Sequence, residues 1–263
     1  MRPKLCGYKE YRFLVIAHRG ASYYRPENTF SSFEEALRMG ADMIELDVLF
    51  TKDNVPVVIH DEKLTRLAGT NENISNLTIA QLGRAEVGSW FDTKYKGEKI
   101  PTLSQVLNWA KGKITLNIEV KSEAVSDNPE GGVEKKVIDL IRQFKMERHV
   151  LLSSFDARAL SCFKLLAPEI PSGYLYSRET SKGKTIPQVV DEFNVDLYHT
   201  TSRSLTKRRH TKLQEIECPV LVYTVNSRRE MKKLIKKGIL GIFSDRPDRL
   251  KEVADKEIRD RLR

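Results

Sequence analysis

The sequence has few cysteines and no long hydrophobic run, and these two absences restrict the class of protein. Its three cysteines, Cys6, Cys162 and Cys218, lie far apart and form no C-x-x-C pair. This usage is typical of a reducing compartment and fits neither a disulfide framework nor a zinc site. The apolar run 13–17 is too short for a signal-peptide core or a transmembrane helix. We therefore expect a cytoplasmic protein without a transmembrane segment.

Acidic residues are outnumbered by basic ones, although the composition is otherwise that of a globular protein. There are 45 Lys and Arg against 36 Asp and Glu, a net charge of +9, and 40% of the residues are hydrophobic. A positive balance is compatible with nucleic acid, an anionic membrane or an anionic small substrate. The basic residues are spread along helical segments such as 228–237 and are mixed with acids at 251–263. This distribution favours solvated helix faces over a stripe of cations that binds a partner. The sequence contains no motif of alternating aromatic and basic residues that would indicate nucleic-acid binding.

Hydrophobic periodicity predicts eight β-strands that alternate with helices. Strands are predicted to begin near residues 13, 43, 114, 150, 173, 195, 220 and 241. This count leaves out the second strand of a predicted hairpin that follows residue 43, because that strand is expected to lie outside the barrel. Eight such units in a chain of 263 residues predict one α/β domain, a (β/α)8 TIM-type barrel. A doubly wound open sheet is the alternative, but G-x-G-x-x-G and a P-loop are both missing. The charged segment 246–263 either closes the base of the barrel or mediates self-association.

Helix caps and one long interval complete the predicted organisation. Ser31 and Glu34 have capping-box spacing at the first helix, and Ser227 and Glu230 have it near the end of the chain. The interval 62–100 is too long for a structureless loop inside a compact domain. We expect it to form a small cap inserted after the hairpin of the second strand.

The second predicted strand and its hairpin give the first indication of a functional site. Glu45 and Asp47 are two residues apart in an apolar run, so both carboxylates project from the same face. Buried together they repel each other and lose hydration, unless a hard cation lies between them or one stays protonated. A two-residue turn at 53–54 would place His60 opposite Asp47 on the returning strand.

The ends of two neighbouring strands carry further polar residues. His18 and Arg19 follow the first strand directly, and Gly20 permits a close approach of the backbone. The third strand carries Glu119 and Lys121 on one face. Because the carboxyl ends of all strands open on one side of a barrel, these groups are expected to converge with the acids of the second strand.

The chemistry of this set favours a hard metal and an anionic substrate. Three carboxylates without a pair of cysteines or histidines at ligand spacing suit Mg²⁺ or Ca²⁺ better than zinc. Two histidines can act as general acid and general base, while an arginine and a lysine hold an anion. Each residue alone also has an ordinary structural explanation. The combination predicts phosphoryl transfer to or from an oxygen.

Short strings along most of the chain resemble the glycerophosphodiester phosphodiesterase family, in the same order. They are HRG at 18–20, PENT at 26–29, GADMIELDV at 40–48, PVVIHDEKLTR at 56–66, GSWF at 88–91, IPTLSQVL at 100–107 and IEVK at 118–121. YTVN at 223–226 and GIFSDRP at 241–247 match in part. Tyr223 stands where the family commonly has tryptophan, which bears on the far wall of the pocket and on the substrate's alcohol.

The resemblance implies metal-dependent hydrolysis of glycerophosphodiesters to glycerol phosphate and an alcohol. It implies that a neighbouring glycerol hydroxyl attacks the phosphorus and that water opens the resulting cyclic phosphate. By this resemblance, His18 and His60 form the acid and base pair. Glu45, Asp47 and Glu119 bind one divalent cation, Mg²⁺ or Ca²⁺. Arg19 and Lys121 contact the phosphate. Which histidine acts first as the base is left open, as are the alcohol, the preferred metal and the oligomeric state.

Two other functions are weighed against this one. A lysophospholipase D-like enzyme would use the same histidines and metal, and would need an apolar groove near residues 62–100. A non-catalytic barrel that binds phosphate or lipid headgroups would typically have lost one of the acids or histidines, and none is lost here. The other three histidines, His149, His199 and His210, are predicted to be structural or exposed.

Overall fold

A closed barrel of parallel strands, ringed by helices, makes up the computed structural model, which describes residues 13–126, 132–181 and 183–261. The strands in these ranges are β1 (Leu14–His18), β2 (Met43–Phe50), β3 (Pro56–Val58), β4 (Thr115–Val120), β5 (Val150–Ser154), β6 (Ser172–Leu175), β7 (Leu197–Thr201), β8 (Val220–Tyr223) and β9 (Gly241–Ser244). The α-helices are α1 (Phe30–Arg38), α2 (Thr65–Ala68), α3 (Ile79–Leu82), α4 (Leu103–Ala110), α5 (Val133–Phe144), α6 (Ala157–Leu166), α7 (Ile186–Glu192), α8 (Lys207–Glu215), α9 (Arg228–Lys236) and α10 (Pro247–Arg261). Cys6 lies outside the described residues, and Cys162 and Cys218 are buried thiols.

Eight of the strands are parallel and close on themselves. β1 pairs with β2 on one side and with β9 on the other, which joins the two ends of the sheet. The remaining order around the barrel is β2-β4-β5-β6-β7-β8-β9, while β3 pairs antiparallel with β2 and lies outside the ring. The predicted (β/α)8 TIM-type barrel is therefore confirmed, and the open doubly wound sheet is excluded.

The apolar strands are buried on both faces, which explains why they read as continuous hydrophobic runs. Inside the barrel a cluster of seven buried side chains comprises Leu14, Ile16, Met43, Leu151, Leu197, Leu221 and Phe243. The outward faces pack against the surrounding helices in a second, larger cluster. Burying each large apolar side chain contributes roughly 1.5–3 kcal/mol relative to leaving it in water.

The helix caps differ from the predicted ones at two positions. Thr29 has an extended backbone, and its hydroxyl accepts a hydrogen bond from the Ser32 N–H at 3.3 Å, so Thr29 caps α1. The capping box predicted at Ser31 and Glu34 is therefore wrong, because Ser31 is already helical. Ser227 precedes α9, but its side chain makes no capping hydrogen bond, so the second predicted box is wrong as well.

The hairpin between β2 and β3 has a three-residue turn at 52–54 rather than the predicted two-residue turn. Asn54 adopts a left-handed φ of 59°, as is common for the last residue of such turns. The Ile59 N–H donates to the Asp47 carbonyl at 3.0 Å, so Ile59 lies opposite Asp47. The predicted pairing of His60 with Asp47 is therefore wrong by one residue. His60 follows the end of β3.

Residues 62–100 form a layer of short helices against this hairpin. The segment contains α2, α3 and two turns of 3-10 helix, Ile74–Asn76 and Thr93–Tyr95. Its apolar side chains share one cluster with the hairpin, comprising Leu49, Val57, Ile59, Leu64, Leu67, Ile74, Leu77, Leu82 and Val87. The Arg25 guanidinium, in the loop after β1, contacts the Tyr95 hydroxyl. The segment is thereby fixed beside the carboxyl end of β1.

The last helix, α10, lies against α9, β1 and β9. Leu250 and Ala254 are buried in the larger cluster, and the Glu257 carboxylate pairs with Lys232 at 2.8 Å and Lys236 at 3.8 Å. The helix therefore covers the seam between the first and last strands. Across the described ranges, no helix combines the length and apolar character needed to span a bilayer.

His199 is a buried histidine inside the barrel, on β7. Its ring lies 5.4 Å from the Phe243 ring, and its Nε2 lies 2.3 Å from the position that a Cβ on Gly173 would occupy. The glycine therefore makes room for the imidazole. Among the described residues neither ring nitrogen has a hydrogen-bond partner. Burial in this environment lowers the pKa of His199 to about 3.

We expect His199 to make the fold less stable in mild acid. A group whose pKa is lower in the folded state destabilises that state as pH falls below the unfolded pKa, here near 6.5. The loss is about 1.4 kcal/mol per pH unit, or roughly 2 kcal/mol between pH 6.5 and pH 5. Urea denaturation should show this loss in the wild type and in a His149→Ala control. His199→Leu should remove it, and an equal pH dependence in His199→Leu would contradict the assignment.

Candidate active site

The loop after β1 has an unusual backbone that brings its polar groups to the barrel mouth. Arg19 has a left-handed φ of 56°, which is strained for a residue with a side chain. Its N–H donates to Glu45 Oε2 at 2.9 Å, and this hydrogen bond stabilises the turn. Gly20 follows with a φ of 81°, and a Cβ there would lie 2.4 Å from the Ser32 hydroxyl. The close approach predicted for Gly20 is thus observed.

The three predicted carboxylates meet at the centre of the mouth. Glu45 and Asp47 project from one face of β2, and the register of β4 places Glu119 beside Asp47. One carboxylate oxygen from each of the three lies within 4.8 Å of the other two. The three residues are 3%, 1% and 9% exposed. Such a group of buried carboxylates requires positive charge, protonation or both.

Charge repulsion in this cluster changes the proton affinities of its members. Burial and the nearby carboxylates raise the pKa of Glu45 well above its ordinary value. Burial and Asp47 also raise the pKa of Glu119, to about 7. Burial would likewise raise the pKa of Asp47, but the charges of Arg19 and Lys121 outweigh it, and the pKa falls below its ordinary value. The cluster therefore has a strong affinity for added positive charge.

Both predicted cations contact the acids. Arg19 Nε lies 3.3 Å from Asp47 Oδ2. Lys121 Nζ lies 3.2 Å from Glu119 Oε1 and 3.7 Å from Asp47 Oδ1. The side chains of these two cations are mostly buried. They can hold an anion at the mouth while they shield the carboxylates beneath it.

The two predicted histidines have matching partners. His18 Nδ1 is 2.7 Å from Asp245 Oδ1, and His60 Nδ1 is 2.7 Å from Asp61 Oδ1. The carboxylates can only accept when ionised, so each Nδ1 carries the hydrogen and each Nε2 is left to exchange a proton. Burial opposes ionisation of Asp61, but hydrogen bonds from Arg66 and His60 outweigh it and lower its pKa to about 2.

Asp245 is held in place by neutral donors. The Asn226 amide donates to Asp245 Oδ2 at 2.5 Å, and the Ser22 hydroxyl donates to Oδ1 at 3.1 Å. Burial would raise the pKa of Asp245, but the contact with His18 and these hydrogen bonds lower it below its ordinary value. The carboxylate therefore stays ionised and orients the imidazole of His18.

Replacing Asp245 by asparagine is expected to lower kcat roughly 10–100-fold with little change in KM, because outer partners of functional groups typically carry effects of that size. The asparagine amide can also donate to Nδ1, which stabilises the other tautomer and would misplace the proton on His18. The measurement is the pH profile of kcat, which should shift in the variant. A matched Asp139→Asn change, at an exposed carboxylate on α5, should leave the profile unchanged. An unshifted profile in Asp245→Asn would mean that Asp245 only supports the loop.

Other supporting residues were not identified from the sequence as parts of the site. Glu27 accepts from Arg19 Nη1 at 3.0 Å and from Arg66 at 2.8 Å, and the Asn28 amide donates to Asp47 Oδ2 at 3.0 Å. Asn28 also has a left-handed φ of 56°. The strings PENT and GIFSDRP contain Glu27, Asn28 and Asp245, and they were the signal that could have indicated these roles.

The predicted residues enclose a pocket of about 230 Å³. Six of them line it, namely His18, Arg19, Glu45, His60, Glu119 and Lys121, and Asp47 lies behind these against Arg19 and Lys121. The opposite wall is apolar and contains Phe155, Leu175, Tyr223 and Phe243. The Tyr223 hydroxyl donates to the Tyr176 carbonyl at 2.9 Å, so the polar end of this side chain already has a partner. Although the predicted hairpin register is wrong, His60 reaches the pocket.

Comparisons with a family model, with curated proteins and with solved structures all point to the same family. The family model of the glycerophosphoryl diester phosphodiesterase family matches residues 18–249. A glycerophosphodiester phosphodiesterase of Caldanaerobacter subterraneus subsp. tengcongensis is 34% identical over 242 residues, covering 90% of this chain and 96% of that protein. The human lysophospholipase D GDPD1 is 28% identical over 282 residues, covering 93% of this chain and 87% of that protein. An Oleispira antarctica phosphodiesterase, solved with the product sn-glycerol-3-phosphate, has a TM-score of 0.80 at 28% identity and covers 91% of this chain and 96% of that one.

Proposed function

The chain belongs to the glycerophosphoryl diester phosphodiesterase family, and we propose that its mouth pocket hydrolyses glycerophosphodiesters by metal-assisted acid–base catalysis with two histidines. The observation that carries the proposal is the convergence of two His–Asp pairs, three carboxylates and two cations on one pocket of about 230 Å³. That volume suits a glycerol phosphate group, with the alcohol extending toward the apolar wall. A neighbour's complex with sn-glycerol-3-phosphate supports the same substrate class.

The acids fit a hard divalent cation. Glu45, Asp47 and Glu119 would hold it, since each offers one oxygen that lies within 4.8 Å of the other two. Among the described residues, Asn117 Oδ1 is a buried oxygen of a pocket-lining side chain that accepts no hydrogen bond, as expected of an atom that faces a cation. Mg²⁺ and Ca²⁺ both suit this donor set. The ion, when bound, supplies Lewis-acid polarisation of the phosphoryl group.

In the proposed first step, one histidine Nε2 removes the proton from a glycerol hydroxyl next to the phosphodiester. The freed oxygen forms a bond to phosphorus, and the bond from phosphorus to the alcohol oxygen breaks. The other histidine gives its proton to the departing oxygen, while Arg19 and Lys121 hold the phosphoryl oxygens. The products of this step are the free alcohol and a cyclic glycerol phosphate.

In the second step, the histidines exchange roles. The one that is now neutral takes a proton from water, whose oxygen bonds to phosphorus, and the other protonates the ring oxygen that leaves. The product is glycerol phosphate. Asp61 and Asp245 keep the two imidazoles oriented through both steps, since each accepts a hydrogen bond from Nδ1.

A lysophospholipase D-like activity is the second candidate, because the human relative of that name aligns with most of the chain. Such an activity needs an apolar path for an acyl chain near residues 62–100. The cleft there, of about 810 Å³, has Leu64, Leu67 and Leu77 in its lining together with four charged residues, Arg66, Glu72, Arg84 and Glu86. An acyl chain in this cleft would lie against charges, which favours water-soluble diesters as substrates.

The proposed function also bears on the domain organisation, the substrate class and the location of the protein. We propose that residues 1–263 act as one barrel domain in which residues 62–100 cap one side of the mouth. The substrate is a small phosphodiester rather than nucleic acid. The sparse use of cysteine supports a cytoplasmic location.

A substrate panel tests the proposed function. Release of glycerol phosphate is measured from glycerophosphocholine, glycerophosphoethanolamine, glycerophosphoglycerol and a lysophospholipid, each with EDTA and after addition of Mg²⁺ or Ca²⁺. We expect turnover of the soluble diesters that depends on the metal. Turnover of the lysophospholipid alone would support the second candidate. Absence of turnover with every metal would mean a pocket that binds phosphate without catalysis.

A further inference from the structure

A second, larger groove begins beside the catalytic pocket and follows the outside of the barrel between α7 and α8. Its volume is about 1420 Å³, and Tyr176 belongs to its lining. Tyr176 follows Leu175, which lines the catalytic pocket, and its carbonyl accepts the hydrogen bond from Tyr223. The α7–α8 groove therefore starts on the same face of the barrel as the candidate active site.

The α7–α8 groove is strongly basic. Its lining contains seven cationic residues, Arg178, Lys184, Arg203, Lys207, Arg208, Arg209 and Lys212. Glu215 is the carboxylate among its lining residues. Seven positive charges against one negative charge leave +6 in the groove, compared with +9 for the whole chain. The groove that starts at the barrel mouth thus carries a large local excess of positive charge.

Most of these cations lack a carboxylate partner. Lys184 pairs with Glu192 at 2.5 Å, and Lys212 pairs with Glu215 at 2.9 Å. Within the described ranges Arg203, Lys207 and Arg208 form no ion pair, and neither does Arg178. The residues 207–209 also begin α8, where the helix dipole disfavours positive charge. This arrangement is costly for the isolated protein and is relieved by an anionic surface.

Helix α9 is also rich in basic residues, but several of its cations have carboxylate partners. On α9, Arg228 pairs with Glu252 at 2.5 Å, and Lys232 and Lys236 pair with Glu257 at 2.8 and 3.8 Å. The acids of α10 therefore pair with three of the five cations of that helix, as expected for solvated helix faces. The basic residues of α8 have no such row of acids.

Exposed aromatic residues lie in the loops around the same mouth. Tyr23, in the loop after β1, is 53% exposed, and Trp90, in the segment that follows the hairpin, is 39% exposed. The guanidinium of Arg246 covers the Tyr23 ring, and that of Arg66 lies 5.2 Å from the Trp90 ring centre. Aromatic rings combined with arginine are typical of protein surfaces that rest at the headgroup level of a bilayer.

We propose that the α7–α8 groove and the mouth aromatics dock the barrel mouth on an anionic phospholipid membrane. Lysine and arginine near such a surface are attracted to its negative potential. Nucleic acid is less well matched to the groove, because single strands require exposed rings for stacking beside the cations. In the groove Tyr176 is covered by Arg209, 4.4 Å from the ring centre, and Tyr198 is buried. Docking goes beyond the proposed hydrolysis, since it concerns where the enzyme works.

The test is co-sedimentation of the full chain with vesicles of phosphatidylcholine alone or mixed with phosphatidylglycerol. We expect binding to the mixed vesicles to be at least roughly tenfold stronger and to weaken with added salt. The double variant Arg203→Glu, Arg208→Glu should bind the mixed vesicles roughly twentyfold more weakly, because each lost cation costs about fivefold in affinity. The control is the double variant Lys111→Glu, Arg148→Glu, which changes the net charge by the same amount as the groove variant. Its two positions lie in the loops before β4 and β5, on the opposite face of the barrel.

Trp90 fluorescence, measured in a Trp109→Phe background because the chain has two tryptophans, provides a second readout, since contact with the bilayer should shift its emission to shorter wavelength. Equal binding to both kinds of vesicle, or equal loss in the control variant, would overturn the proposal. Binding of a single-stranded RNA with no binding to vesicles would overturn it in favour of nucleic acid. Turnover of soluble glycerophosphocholine by the groove variant is measured in parallel, so failure of docking is distinguished from failure of catalysis.

Discussion

Alanine at His18 or at His60 is expected to lower kcat for a glycerophosphodiester by roughly 10²–10⁴-fold, the usual contribution of a positioned general acid or base. Both imidazoles line the catalytic pocket, and both have an ionised aspartate on Nδ1. Each therefore has only Nε2 left for the substrate. Because the proposed steps need both histidines, one as base and one as acid, either loss should be severe. The double variant should be little worse than the single ones.

Steady-state turnover of glycerophosphocholine, with thermal unfolding measured on the same samples, is the appropriate experiment. His149→Ala is the matched control, because His149 is exposed and lies before β5 on the other face of the barrel. The control should keep wild-type activity. A correctly folded His18→Ala or His60→Ala variant with near wild-type turnover would remove that histidine from the mechanism.

Glutamine at Glu119 is expected to weaken binding of Mg²⁺ or Ca²⁺ by more than roughly 100-fold, beyond the 10–100-fold that loss of an outer partner costs. The substitution keeps the shape of the side chain and removes one of three buried carboxylates. It also leaves Lys121 without its nearest acid, so the positive charge at the site rises. Turnover should fall in parallel at low metal concentration and recover in part when the metal is raised.

Titration calorimetry of the metal alone measures this affinity without reference to catalysis. Glu62→Gln is a suitable control, because Glu62 is an exposed glutamate in the segment after the hairpin. Its metal affinity should equal that of the wild type. If Glu119→Gln binds the metal as tightly as the wild type, Glu119 is not a ligand and the acidic cluster serves another purpose.

The positions of the acids could be predicted because strand geometry is simple. Residues two apart on a strand share a face, so Glu45 and Asp47 had to point the same way. Neighbouring parallel strands end at the same side of a barrel, so Glu119 had to approach them. These inferences need only the alternation of side chains, and the structure agrees with each of them.

The hairpin register and the helix caps could not be predicted with the same security. A turn of two or three residues fits the sequence around Asn54 equally well, and tertiary contacts decide between them. Capping depends on which residue has an extended backbone, so Thr29 caps α1 although Ser31 and Glu34 have suitable spacing. Local patterns leave such choices open by one or two residues.

The partners of the histidines lie beyond sequence reasoning for a different reason. Asp245 contacts His18 across 227 positions of the chain, and only the closure of β9 onto β1 brings them together. The left-handed backbone of Arg19 is also a tertiary effect, since the hydrogen bond to Glu45 stabilises it. The distribution of charge is also a tertiary effect, because acids of α10 pair with three of the cations of α9, whereas most cations of the α7–α8 groove have no carboxylate partner among the described residues.

The most direct test of the account is the release of glycerol phosphate from glycerophosphocholine by the wild-type protein, first in EDTA and then after addition of Mg²⁺ or Ca²⁺. We expect no turnover above background in EDTA and full activity with at least one of the two ions. Metal-restored release of glycerol phosphate would establish a metal-dependent glycerophosphodiesterase. Undiminished turnover in EDTA, or none with either ion, would contradict the role assigned to Glu45, Asp47 and Glu119.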